Sequence, residues 1–385
     1  MSLLVAFAAS AAAQDDLGRE VRGVARLPDG SLVQLRGQAS RQGSNQSLEL
    51  EARGSWRLSL RGTYRSSRID LSERVAAPTT TVGASGNLDN LFGMAASNTL
   101  ATTSLPGTLT LLPRTRAWSG RFQRGVSATR RAPDADLLVF PLAPAPSGRL
   151  SASVGRGGAN RAADVRWVQS RLNALGFHWV GVDGSIGPVT IHALRAFQAM
   201  TQGNQNVSEG RGLVRPGDAT ERWLRSRRAP RWILMPREGV GFKSLERLQT
   251  SDDHDYGTDW LNELILVAGV VYQREHRDQR PGASVIWVND AARDRCRDTR
   301  DHAGHETGIS IDIGLPRTDG SKEGCYVSWG SYDRAAARAI LKAFRKHPRF
   351  SRAFLNDRTL IREGLCVWRG GHSDHMHIEL SPPSP

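Results

Sequence analysis

His372-Ser-Asp-His375-Met-His377-Ile-Glu379-Leu380 is the stretch whose parity decides the fold of the C-terminal part of this chain. In an extended strand, successive side chains point to opposite faces. His375, His377 and Glu379 then share one face, while Met376, Ile378 and Leu380 share the other. The pattern predicts a strand that presents two imidazoles to one space and leans on an apolar core. His372 falls outside this parity, on a loop opened by Gly370-Gly371.

A second cluster lies upstream and reads His302-Ala-Gly-His305-Glu-Thr-Gly-Ile-Ser-Ile-Asp312. Ile309, Ile311 and Ile313 alternate with Ser310 and Asp312, which predicts a strand with Asp312 on its polar face. His305 lies seven residues before Asp312. On a continuous strand that odd spacing places them on opposite faces, and on a straight helix it separates them by about 10 Å along the axis. The chain must bend between them, and Gly304 and Gly308 supply the freedom. If the two polar strand faces meet, His305, Asp312 and His377 converge. Two imidazoles and a carboxylate, with a fourth position open, meet the needs of a catalytic zinc ion. His375 is placed to carry a proton or stabilise an oxyanion, and His372 to share that task.

The signature His-Glu-x-x-His is absent, because Ile309 stands where its second histidine would be. Glu306 is therefore read as a solvated or outer residue rather than a general base. Glu379, His254, His276 and His347 are read as surface residues, and Asp252, Asp253 and Asp255 as a solvated turn.

The order His302-x-x-His305-x-x-Gly308-x-x-x-Asp312, followed by His372-x-x-His375-x-His377, resembles the LAS group of zinc peptidases. Within that group it is most similar to the penicillin-insensitive murein endopeptidases. The resemblance implies that His305, Asp312 and His377 bind Zn²⁺ and that His375 is catalytic. It also implies that His302 and His372 line the site. The substrate it implies is an amide in the peptide cross-links of peptidoglycan, a D-Ala–diaminopimelate bond. Related D-Ala-D-Ala peptidases carry Glu where this chain has His372. The cysteine-rich pattern of the murein endopeptidases is not reproduced by Cys296, Cys325 and Cys366.

Around the clusters, Thr258 can cap a helix carrying Trp260, Leu261, Leu264, Val267 and Val271, and Ser284–Val288 reads as a buried strand. Residues 240–385 are thus expected to form an α+β domain with an antiparallel sheet. Residues 155–226 differ in character. Val165, Val168, Leu172 and Leu175 recur at helical spacing and stop at Gly176. Pro188 suits the first turn of a second helix with Ile191, Leu194 and Phe197, and Asp218 can cap a third carrying Trp223 and Leu224. Val168-Gln-Ser-Arg-Leu172-Asn-Ala-Leu-Gly176, Val182-Asp-Gly184, Gly187-Pro188, Ala193-Leu194 and Phe197-Gln198 resemble the peptidoglycan-binding type 1 domain. This resemblance implies a three-helix module that tethers wall-modifying enzymes. The stretch from Gln202 to Arg215 departs from the short loop of that family.

Residues 14–150 are expected to be β-rich or partly disordered and carry no legible role. Trp56, Leu58 and Leu60 alternate with Arg57, Ser59 and Arg61, and Pro28-Asp29-Gly30 reads as a hairpin turn. Residues 75–110, rich in Thr, Ala, Ser and Gly, read as loop or disorder. Residues 143–158 and 226–242 read as linkers. Residues 1–13 resemble the apolar core and small-residue end of a signal peptide without its basic start, so export to the periplasm or exterior is expected. No stretch reaches the roughly 20 apolar residues of a membrane span.

The formal net charge of +14 calls for an anionic partner. Its arginines are scattered and no nucleic-acid motif accompanies them. The anionic wall is the partner expected, and nucleic acid is not. In an exported chain two of the three cysteines can pair, and the sequence does not choose which. The combined expectation is a multidomain, zinc-dependent peptidoglycan hydrolase. The rival readings are a D,D-carboxypeptidase or L,D-endopeptidase on the same fold, and a wall-binding protein without catalysis.

Overall fold

A computed structural model describes residues 20–26, 32–42, 45–52, 56–65, 68–73, 107–111, 118–122, 135–141, 146–245, 254–299 and 304–384. The expected signal segment, the hairpin turn at 28–30, residues 74–106 and Asp252-Asp253 lie outside them. The chain divides into two compact units, Met1–Leu142 and Ala143–Pro385.

Among the described residues, the first unit forms a closed barrel of eight strands. They are β1 (Glu20–Arg26), β2 (Leu32–Gln42), β3 (Asn45–Ala52), β4 (Trp56–Arg65), β5 (Arg68–Glu73), β6 (Gly107–Leu111), β7 (Trp118–Phe122) and β8 (Ala135–Pro141). Each pairs antiparallel with the next, and β8 returns to β1 through Val21↔Pro141 and Val24↔Leu138. Val21 and Val24 are buried. Residues 107–110, read from the sequence as loop, belong to β6.

The second unit joins the helical region to the sheet that carries the histidines. Strand β9 (Val154–Gly155) pairs with β10 (Leu213–Val214). Between and after them lie helices α1 (Ala162–Ala174), α2 (Pro188–Gln202) and α3 (Ala219–Arg225). Their apolar stripes bury Val165, Val168, Leu172, Leu194, Phe197 and Leu224. The turn signals act as their chemistry requires: Gly176 takes φ +95°, Pro188 opens α2, and the Asp218 carboxylate accepts the Glu221 N–H at 2.8 Å.

Over their described residues, neither expected linker is a free connection. Leu150 N–H donates to Glu221, Trp167 donates to the Ser147 carbonyl, and Val154 is fully buried. Within 226–242, β11 (Trp232–Leu234) pairs with β14 (Tyr256–Thr258), and the Trp232 N–H donates to the Leu175 carbonyl at 2.8 Å. Apolar side chains inside a basic, Pro-containing run drive this burial, so local composition misleads there.

A six-stranded sheet follows the order β12 (Glu238–Gly239), β13 (Phe242–Ser244), β15 (Ile286–Val288), β16 (Ser310–Gly314), β18 (His375–Leu380), β17 (Phe350–Phe354). The expected antiparallel sheet is in fact mixed, because β13 and β15 run parallel. A parallel pair needs a crossover, and here it includes α4 (Asp259–Glu275), capped by Thr258 and buried on nearly every side. Helix α5 (Arg334–Arg345) packs against α4. Cys296, Cys325 and Cys366 are all free and buried, so no pair of them forms the disulfide that export suggested.

Candidate metal centre

Strands β16 and β18 are antiparallel neighbours, and their register sets Asp312 directly opposite His377. Directly opposed residues point to the same face. The flanking pairs Ile311↔Ile378 and Ile313↔Met376 point the other way and are fully buried. The apolar faces thus fix the register that brings the polar pair together. His377 Nδ1 lies 2.8 Å from Asp312 Oδ1.

His305 arrives from a turn outside the strand. Its own backbone takes φ +74° and Gly308 takes φ +61°, and the Gly308 N–H closes the turn on the His305 carbonyl at 3.0 Å. The bend expected from Gly304 and Gly308 therefore also falls on His305 itself. The turn sets His305 Nε2 3.4 Å from Asp312 Oδ1, with the His305 and His377 rings edge to face at 4.7 Å. One donor atom from each of His305, Asp312 and His377 lies within 4.8 Å of the others, and all three residues are buried.

Burial alone would raise the Asp312 carboxyl. The His305 imidazole and the hydrogen bonds from both histidines override it, and the carboxyl is held well below the usual carboxylate range. Burial would likewise depress His377, but Asp312 and Glu379 hold its proton more tightly than usual. The donor set is thus a carboxylate between two imidazoles, a buried arrangement that could hold a metal ion.

His375 is half-buried at the start of β18. Its Nδ1 lies 2.8 Å from Asp374, and its Nε2 faces the second Asp312 oxygen at 3.7 Å. His372 lies tilted beside it at 4.8 Å between ring centres, with Nδ1 2.9 Å from the Gly370 carbonyl. Burial lowers the basicity of His372. Phe354, opposite His377 across β17 and β18, floors the histidine group, and Arg369 lies over its ring at 4.8 Å. His302 lies outside the described residues.

Three expectations about polar residues need correction. Glu379, read as surface, is buried. It lies 3.6 Å from His377 Nε2 and is paired with Arg352 at 2.5 Å. Its parity with His377 was the signal that could have placed it. His347 and His254 are also buried, against Glu263 at 3.5 Å and Asp290 at 3.9 Å. Their partners lie far away in sequence, so no local pattern marks them. Glu306 accepts the Val207 N–H at 2.6 Å and belongs to the packing behind the site.

The loop carrying His372 rests on its neighbours. The Asn356 N–H donates to the His372 carbonyl at 2.7 Å. Next to it, Asp357 caps helix α6 (Arg358–Arg362) through Thr359 and Leu360 and pairs with Arg334 at 2.6 Å. Burial raises the Asp357 carboxyl, but Arg334 and the two amides outweigh it, so its pKa is lowered. A depressed folded pKa contributes stability above the unfolded value of about 3.9, and that stability is lost as pH falls through the folded value. Asp357→Asn keeps a cap oxygen and removes the charge. Denaturant unfolding should find the variant about 1–2 kcal/mol weaker at pH 7. The gap should narrow below about pH 3.9, and a gap that is the same at pH 7 and pH 3 would contradict this assignment.

Residues 161–205 match the family described as "Putative peptidoglycan binding domain". No curated protein matches the chain. Among solved structures, a redesigned β-barrel is 14% identical, covers 33% of this chain and 93% of its own, and gives a TM-score of 0.20. No helix among the described residues is long and apolar enough to cross a membrane. The chain therefore combines a helical peptidoglycan-binding region, which supports peptidoglycan as a partner and association with the cell wall, with a sheet that bears a buried His-Asp-His triad.

Proposed function

We propose that this protein is an exported, zinc-dependent peptidoglycan hydrolase that cleaves an amide in the peptide cross-links, a D-Ala–diaminopimelate bond. The observation that carries the reading is the triad His305, Asp312 and His377, set beside two accessible histidines in the compact unit that also holds the peptidoglycan-binding region.

The donor set fits zinc: two imidazoles and one carboxylate, converged and shielded. The outer nitrogen of His377 faces the Glu379 carboxylate, the kind of outer partner that fixes a ligand imidazole. When bound, zinc supplies Lewis acidity, which acidifies water and polarises a carbonyl. The chain's own residues do the rest. Asp374 holds His375 Nδ1 and leaves Nε2 turned toward the triad, where it can take a proton and return it to the departing amine. His372 is less basic than an exposed histidine, so at neutral pH it is an uncharged imidazole. With its Nδ1 proton on the Gly370 carbonyl, Nε2 is left to share the proton or bind substrate. Phe354 and the apolar pairs behind the strands keep the triad's inner side dry.

Digestion of purified sacculi tests the reading. Cross-linked dimers should fall and their monomers rise. Release of terminal D-Ala with dimers unchanged would instead identify a carboxypeptidase. Sacculi that are bound but left intact would identify a wall-binding protein without catalysis.

A further inference from the structure

We propose that the loop following α2, Gly203–Val207, is a structural half of the metal centre and positions His305. The inference rests on the metal reading above. His305 holds φ +74°, a left-handed conformation that a side chain other than glycine adopts only when its surroundings impose it. Those surroundings come from the helical region. The Val207 N–H donates to Glu306 Oε2 at 2.6 Å. Thr307 Oγ1 donates to the Asn204 carbonyl at 2.8 Å. Ser310 Oγ lies 3.2 Å from Gln205 Oε1, and Gly304 is so close to the Gln205 side chain that a Cβ there would collide with it. Glu306, Thr307 and Ser310, all on the C-terminal side of His305, are thus held by one short loop about a hundred residues earlier.

The opposite side of the turn is anchored to the same region by another route. The Gly308 carbonyl accepts from both the amide and the hydroxyl of Thr258, each at 2.9 Å. Gly308 also lies against the Trp232 ring, and Trp232 is fixed by its backbone to Leu175 at the end of α1. The turn is clamped from two sides, and both clamps end in the peptidoglycan-binding region. The departure from the short family loop after Gln202 has a use in this geometry: it reaches the His305 turn.

Glu306 is the positioning residue this assigns, since its carboxylate accepts the Val207 N–H and holds the residue next to His305. Cobalt(II) and zinc titrations of the full chain test it. Glu306→Ala removes the acceptor for Val207 and should weaken metal binding about 10- to 100-fold. The cobalt absorption spectrum should change with it. Glu306→Gln keeps an acceptor oxygen and should stay within about threefold of wild type, whereas Glu306→Met keeps the bulk without the acceptor and should weaken binding as the alanine variant does. Gln205→Ala provides a second, milder variant, expected to weaken binding in the same direction. Wild-type affinity and spectrum in both alanine variants would overturn the positioning role while leaving the metal reading intact. A wild-type chain that binds neither ion would overturn both.

Discussion

Replacement of His377 by alanine is expected to lower sacculus hydrolysis on the order of 10³-fold or more. His377 is the donor held from both sides: Asp312 lies 2.8 Å from Nδ1, and Glu379 lies 3.6 Å from Nε2. Its removal leaves two donors, too few for a stable catalytic zinc site. A bound ion supplies several kcal/mol of transition-state stabilisation, and each 1.36 kcal/mol is about a factor of ten in rate. Treatment with a chelator should reproduce the loss in wild type, and added zinc should restore it there but not in the variant. Hydrolysis undiminished in the variant or in the chelated chain would sink the zinc reading. Near-UV circular dichroism of the variant checks that the sheet survives.

The second large effect is on stability. Trp232→Ala should destabilise the second unit by about 3–5 kcal/mol in denaturant unfolding. The ring is buried and stacks parallel to Tyr256 at 6.2 Å. It also meets Phe177 at 6.4 Å and Trp179 at 6.3 Å from the helical region. The cavity left by truncation would lie where helices, β11 and the His305 turn meet, so a single site cannot collapse to fill it. A loss below about 1 kcal/mol would mean that the two regions are held together elsewhere.

The helical region was legible because its signals are local. Gly176, Pro188 and Asp218 each set a helix end through their own backbone or side chain. The His-bearing strands were legible for a related reason, since alternation states which side chains share a face. Alternation does not state register, and Asp312 meets His377 only because β16 and β18 align as they do. Closure of the barrel through β8 and β1 is likewise invisible to alternation. Glu379, His347 and His254 were misread because acids and histidines are mostly exposed on average. Each is buried against a charged partner or a possible one, and that needs the tertiary fold. The hold of Asn204–Val207 on residues 304–310 joins two segments that look unrelated in sequence. Trp232-Ile-Leu234 offered the one hint that the supposed linker was structural.

The three sealed thiols set an order of events for this chain. Burial pushes Cys366 up to about 12 and raises Cys296 well above its ordinary value. Disulfide exchange proceeds through the thiolate, which this burial disfavours at Cys366 and Cys296. Once folded, the protein keeps all three thiols buried, away from the sulfurs of neighbouring molecules in an oxidising compartment. Before folding it has no such protection, so under the export proposed above, collapse of the second unit must outrun oxidation.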